Sequence, residues 1–442
     1  MTAGEITAPS GWSAPVWRPE RWLGLLFACA LLLPPLPFPF GNAGIHVAPL
    51  AALLGIIAGF LRLSEWRTSE LKAQRMLPST LALFLLILLL SVAFAAVYSG
   101  WEIALGSLTR VLLLGIAVWV FFFTWIGPRG ERSDTLAFAR LLFWIALLGA
   151  AFACVDFYFQ FPAPARYGAQ FMKLAGGAVR RAQGVFYESS TLGNFCAFFL
   201  VMTLAAVTGR ERRVLSRAVL LPGALIFAAA LMLSASRASV VTVIVATIAL
   251  LCMRRAARAP RISRRVVIGL AVSLVTAAEA IRLAAPEFWW HYWRRTLGSL
   301  WYLASYPDGV LAGRLTHWNV LADFVRHHPW HIVFGIGYKT LPYTNYLGAP
   351  LVADNTYLSL LVETGVIGLA VFVLLNVAIL RTAYRAARSP SARASFFGLW
   401  IFCFWCGELV QMLSGDLITY WRVLPVYFWV LAAALRETAC SD

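Results

Sequence analysis

From Val219 to Met253 the chain runs 35 residues with Arg237 as its only charged side chain. About 20 apolar residues span a bilayer, and an arginine at its centre costs at least ~2.5 kcal/mol. One span cannot account for such a run. Basic loops bound it at both ends, "GRERRVLSR" and "RRAARAPRISRR". Loops rich in Lys and Arg stay on the cytoplasmic side. The run is therefore expected to cross, turn and return, with Ser234, Ser236 and Arg237 at the external interface.

The same reasoning extends along the chain. It is 61% hydrophobic and only 13% charged, whereas a soluble domain carries about 25% charge. The apolar excess predicts membrane spans rather than one large soluble core. A net charge of +17 would suit nucleic acid, but its placement argues against that. The basic residues gather in short loops such as "GPRGERSDTLAFAR" and "RTAYRAARSPSAR", which alternate with "FGNAG" and "YSGWE", loops without Lys or Arg. The first apolar run, Trp22 to Phe40, ends in "LPPLPFPF" and lacks a small-residue cleavage site, so it reads as a span and not a signal peptide.

The pattern predicts an all-α polytopic membrane protein, one integral domain over 1–442 with both termini cytoplasmic. Twelve candidate spans lie at about 22–40, 45–61, 79–98, 105–126, 141–160, 191–208, 218–235, 238–253, 266–284, 356–380, 396–414 and 424–436. Two external segments exceed a turn, 161–190 and 285–355. The second opens with "EFWWHYWRRTLGSLWYLASYP", whose aromatic residues suit a helix lying at headgroup depth. In it Leu311, Leu315, Trp318, Leu321 and Val325 recur at helical spacing until Pro329. Cys403 and Cys406 form a CxxC inside "LWIFCFWCGELV"; without polar ligands nearby, helix packing is the expected role.

Neither a GxxxxGK[ST] loop nor a GxGxxG after a strand occurs, so a nucleotide is not an expected substrate. The candidate chemistry gathers on the external side. Arg180 and Arg181 precede "QGVFYESS", Arg237 sits in "SASRAS", and Arg314 opens the amphipathic stretch. The planar guanidinium fork matches two phosphate oxygens, so these arginines suit a lipid-borne diphosphate. Arg294 and Arg295 read as headgroup anchors. Asp354 and Glu188 each precede a span, where an acidic residue can cap the helix or act as a catalytic base. Asn355 can orient a neighbour or bond a sugar, and Glu363 and Gly365 fit helix packing or a bond to the loop. His317, His327, His328 and His331 do not read as a metal site, because Pro329 breaks their register and no carboxylate or Cys lies at ligand spacing. His317 and His328 remain candidates for sugar contact or proton transfer.

Four pieces together resemble the bacterial O-antigen ligase and polysaccharide polymerase superfamily: "RAQGVFYESSTLGNF", "LSASRAS", "GRLTHWNVLADFVRHHPWHIVFGIGY" and "ADNTYLSLLVETGVIGL". They occur in that family's order across roughly 180–370. The resemblance implies an inner-membrane glycosyltransferase of the GT-C type, using a glycan on undecaprenyl diphosphate as donor at the periplasmic face, without nucleotide, metal or other cofactor. It implies that Arg181, Arg237 and Arg314 hold the diphosphate, with Arg180 beside them. Asn355 and Tyr357 belong to the closing motif. Ligases that transfer glycan to lipid A–core typically have His where Asp354 stands, and Asp is more at home among exopolysaccharide and capsule polymerases. The implied base is Asp354 first, Glu188 second and a loop histidine third.

Two other classes compete. A lipid-linked glycan transporter or flippase would use charges at the midplane on repeated halves, for which Glu408 and Gln411 are the candidates. A non-enzymatic envelope scaffold would have no need of converging arginines.

Overall fold

The computed structural model describes residues 19–36, 45–61, 75–127, 134–162, 169–174, 177–209, 211, 214–256, 264–302 and 314–439. The basic loop after the second expected span, most of "GPRGERSD", the loop at 257–263 and Leu311 fall outside these residues.

Every expected span holds a helix. They are α1 (Pro19–Leu32), α2 (Val47–Phe60), α3 (Met76–Ser99), α4 (Trp101–Ile126), α5 (Thr135–Phe159), α6 (Ser189–Thr208), α7 (Arg217–Leu233), α8 (Arg237–Ala256) and α9 (Arg264–Ala284). After α10 (Pro286–Tyr302), α11 (Arg314–His327) and α12 (Pro329–Phe334) come α13 (Thr356–Ala387), α14 (Ala392–Gln411) and α15 (Leu424–Ala439). Among the described residues seven helices, namely α3, α4, α5, α6, α8, α13 and α14, are long and apolar enough to cross a membrane; α1, α2 and α7 are apolar but shorter.

One element departs from the all-α expectation. Within 161–190, Phe171–Leu174 and Gly177–Arg180 pair as an antiparallel hairpin, β1 and β2. A helical period was absent there, and the extended backbone finds its partner within the segment itself.

The long apolar run breaks at Ser234–Ser236, between α7 and α8. The serines satisfy the turn: Ser234 Oγ donates to Leu231 O at 2.6 Å, and Ser236 Oγ bonds Ser239 Oγ at 2.7 Å. The turn packs on α6 at Gly193, where a Cβ would lie 2.6 Å from Ser236 and 2.8 Å from Ser234 Oγ. Only glycine allows that approach, which ties "STLGNF" to "SASRAS".

Helix α6 is almost wholly buried and packs against α7, α8 and α14. Around it α13 lies against α3 and α14, and α15 against α4 and α14. Two sets of helix ends face opposite ways. At one end meet the starts of α6, α8 and α13 and the ends of α3, α7 and α14. There Arg181 bonds Ser234 O, Ser99 bonds Thr344, and Thr356 N bonds Met412 O. At the other end Ser395 Oγ bonds Ala387 O and Arg254 bonds Thr208 O.

Candidate functional site

The site lies at the first of these ends and is built from four segments. The first, 180–190, is anchored through Asp156 on α5. Arg180 pairs with Asp156 at 3.2 Å, both buried, and Gly184 N donates to the second carboxylate oxygen at 3.1 Å. Gly184 has φ +57, and a Cβ there would meet Ala153 at 3.0 Å. Gln183 receives Gln170 N at 2.9 Å and donates to Tyr187 O at 2.8 Å. Arg422 supports the segment from beneath, donating to Ala30 O, Leu33 O and Val185 O. This framework aims Arg181 at the hairpin turn, where its Nε donates to Ser234 O at 2.8 Å.

Glu188 begins α6 without capping it. Its carboxylate instead accepts from Ser190 Oγ at 3.0 Å. Burial pushes this carboxyl above the usual range; Ser190 opposes that, Asp354 adds to it, and Arg181 and Lys339 draw it back down. Those influences place Glu188 within electrostatic reach of Arg181, Lys339 and Asp354.

The second segment is the hairpin turn. Arg237 opens α8 three residues beyond Ser234 and lies within electrostatic reach of Tyr292 on α10. Arg181 and Arg237 thus flank one turn.

The third runs from α11 into α13. Three bonds clamp α11 onto the segment leading into α13: His317 with Val352 O at 3.0 Å, Trp318 Nε1 to Ala353 O at 2.7 Å, and Arg314 with Asp354 at 3.2 Å. Asp354 has φ +44, a backbone region disfavoured for a non-glycine residue. Such strain persists where surrounding contacts over-determine it, often at functional sites. Asn355, not Asp354, caps α13: its side chain accepts from Leu358 N at 3.0 Å. The capping role considered for Asp354 falls to its neighbour, which leaves the aspartate facing Arg314.

The closing motif then breaks its own helix. Gly365 has φ +71, ψ −176 inside α13, and "FGIGYK" threads into the break. A Cβ at Gly365 would meet Val333 O at 2.1 Å, and one at Gly335 would meet Glu363 backbone at 2.3 Å. Ile336 N and Gly337 N donate to the carbonyls of Val362 and Glu363, and Leu341 N donates to the Glu363 carboxylate at 3.3 Å. Glu363 and Gly365 therefore bond and seat the loop.

The fourth segment, 412–422, was not expected. Thr356 pins it beside Asp354, donating through Oγ1 to Gly415 O at 2.8 Å. Its Asp416 pairs with Lys339. Its Tyr420 bonds Ser190 and lies within electrostatic reach of Glu188 and Asp354. Lys339, buried and at φ +56, is pulled by burial down to about 8, against Glu363 and Glu188 and with Arg110 adding to the drop. Lys339, Asp416 and Tyr420 carried no periodic or spacing signal; the only hint was polar residues between two apolar runs.

Several expected site residues take other partners. Arg180 was expected beside the diphosphate, but its charge is matched by buried Asp156. Tyr357 OH donates to Leu409 O on α14 at 3.1 Å. His328 bonds Phe324 O at 3.1 Å and stacks on its ring, and His317 holds Val352. Each of these contacts is explained by packing within the chain. Among the described residues no group of three or more His, Cys, Asp or Glu is placed to hold a metal.

No match is found among curated proteins. Residues 222–373 match the family model described as O-Antigen ligase, a stretch that carries Arg237, Arg314, Lys339, Asp354 and Glu363 and leaves Arg181, Glu188 and Asp416 outside it. The matched stretch takes in three of the four ordered motifs, and over these residues the chain is similar to the O-antigen ligase family.

Proposed function

We propose that the chain is a periplasm-facing glycosyltransferase that polymerises glycan repeat units carried on undecaprenyl diphosphate. The observation that carries this reading is the grouping of Arg181 and Arg314 around Glu188 and Asp354 at one end of an apolar bundle. Arg237 stands at the adjoining turn. Cations at that depth suit a diphosphate whose lipid tail lies in the bilayer. The basic residues Arg254, Arg255, Arg385, Arg388 and Arg436 end or follow their helices at the opposite end, which supports an inner-membrane orientation with the site outward.

The chemistry follows from the groups. The bond from the anomeric carbon to the diphosphate oxygen breaks, and a new bond forms to an acceptor hydroxyl. Charge develops on the departing diphosphate, where Arg181, Arg237 and Arg314 offset it in a partly desolvated setting. A carboxylate takes the hydroxyl proton. Glu188 is half-buried, with a raised affinity for protons, and a base is most effective when its pKa approaches the working pH. Asp354 is held by Arg314, so it serves best to fix that arginine while remaining the alternative base. Direct attack without a covalent intermediate inverts the anomeric centre.

Purified protein incubated with an undecaprenyl diphosphate-linked repeat unit, with and without lipid A–core, tests the reading. A ladder on the lipid carrier is expected. Transfer to core instead would make it a ligase. Lipid movement across vesicles with no product would replace the enzyme by a transporter.

A further inference from the structure

The Lys339–Asp416 pair lies between two backbone features that fix it. On one side the Glu363 carboxylate accepts the backbone N–H groups of Lys339 and Leu341, holding Lys339 in its left-handed conformation. On the other, Thr356 receives Leu417 N at 3.3 Å and holds Gly415 O at 2.8 Å. The Lys339 side chain is 5% exposed and that of Asp416 20%. One Asp416 oxygen meets the ammonium, while Oδ1 is buried and accepts no bond from any described residue; the same holds for Oε2 of fully buried Glu363.

Native interiors seldom leave carboxylate oxygens unmatched, and a helix-packing role gives no reason for a lysine here, since burying a paired charge contributes little to stability. A pair that is rigid, charge-matched and short of donors suits a ligand that brings hydroxyl groups. Asp416 also sits on the same segment as Tyr420, which reaches Ser190 and Glu188, so a ligand on Asp416 lies beside the proposed base.

We propose that Asp416, positioned by Lys339, binds a hydroxyl of the acceptor saccharide. The acceptor's hydroxyl donates to Asp416 Oδ1, and Lys339 holds that carboxylate in place. This rests on the glycosyltransferase reading and assigns the acceptor side of that site to a segment outside the family-matched stretch.

The test separates donor from acceptor. The donor is the undecaprenyl diphosphate-linked repeat unit, held at saturation, and the acceptor is the oligosaccharide freed from it by mild acid. Asp416→Asn is expected to raise the acceptor KM at least about tenfold, leaving kcat within a few-fold and affinity for undecaprenyl diphosphate alone within twofold. Lys339→Met is expected to act in the same direction and Lys339→Arg to recover part of it. An unchanged acceptor KM in Asp416→Asn overturns the inference. So does a parallel loss of acceptor KM, undecaprenyl diphosphate affinity and melting temperature, since that marks a structural role. A wild-type chain that binds undecaprenyl diphosphate but transfers no sugar defeats the underlying reading, and the inference with it.

Discussion

Two polar clusters can be set side by side. One is the site just described. The other lies within the bundle, where Asn194 on α6 donates to Glu408 at 2.7 Å and Gln411 at 3.3 Å on α14. Thr242 on α8 donates to Gln411 at 2.6 Å, and Tyr427 on α15 donates to Asn194 Oδ1 at 2.5 Å. Among the described residues this network leaves none of its buried side-chain oxygens or nitrogens without a partner. The site, by contrast, contains two unmatched carboxylate oxygens and the left-handed residues Lys339 and Asp354, with Ala235 in the adjoining turn. A polar network closed on itself joins four helices and asks for nothing further. A strained cluster with spare acceptors suits the ligand-binding role proposed for it. Glu408 and Gln411, which kept a transport reading open in the sequence, belong to the closed network.

The comparison predicts opposite outcomes for substitutions of similar chemistry. The largest effect is expected for Glu188→Gln, which removes the proposed base: transfer falls about 10²–10⁴-fold in a rate assay with the lipid-linked donor. The sign of its pH dependence can also be worked out. Burial raises the folded-state proton affinity of Glu188, so in the wild type transfer rises with pH as the carboxyl ionises, with a midpoint above the usual carboxylate range. That limb disappears in Glu188→Gln. By linkage, ionised Glu188 opposes folding above its unfolded pKa, so the variant should melt no lower than wild type at neutral pH.

Arg314→Ala is expected to lose about 10²–10³-fold in transfer rate, the scale for removing one donor to developing charge, with the chain still folded. Lysine at that position should recover little, because it lacks the fork. In the closed network the outcome reverses. Asn194→Leu leaves Glu408 and Tyr427 without their partner and should cost about 1–3 kcal/mol of stability, read by denaturation in detergent, with little change in rate per folded molecule. A rate loss there matching that of Arg314→Ala would erase the distinction between the clusters. The smallest effect is expected for Tyr357→Phe, about 0.5–1.5 kcal/mol from one bond to Leu409 O, with the acceptor and donor KM unchanged. A raised KM would return Tyr357 to the substrate.

Much of this was legible in advance because it rests on local chemistry. Apolar runs long enough for helices, and a 35-residue run between basic loops, required a turn near Arg237 whatever the neighbours were. Gly193 and Gly365 stood within recognisable motifs, although the Ser236 and Val333 atoms that require them are distant in sequence. Roles that depend on partners were less legible. Arg180 and Arg181 are adjacent and chemically alike, yet one meets Asp156 and the other turns to Ser234. Asp354 and Asn355 are both good caps, and the choice between them fell to a φ of +44 that swings the aspartate onto Arg314.

The sequence by itself determined the apolar helices, the hairpin at Arg237 and the order of the four motifs, since each follows from hydropathy, charge and spacing within short stretches. Only the tertiary structure decided that Lys339 meets Asp416 across 77 residues. It also decided that Tyr420 closes on Ser190 and that Glu408 is already matched. Pairing of buried charges depends on which helix ends are brought together, and no local period records that.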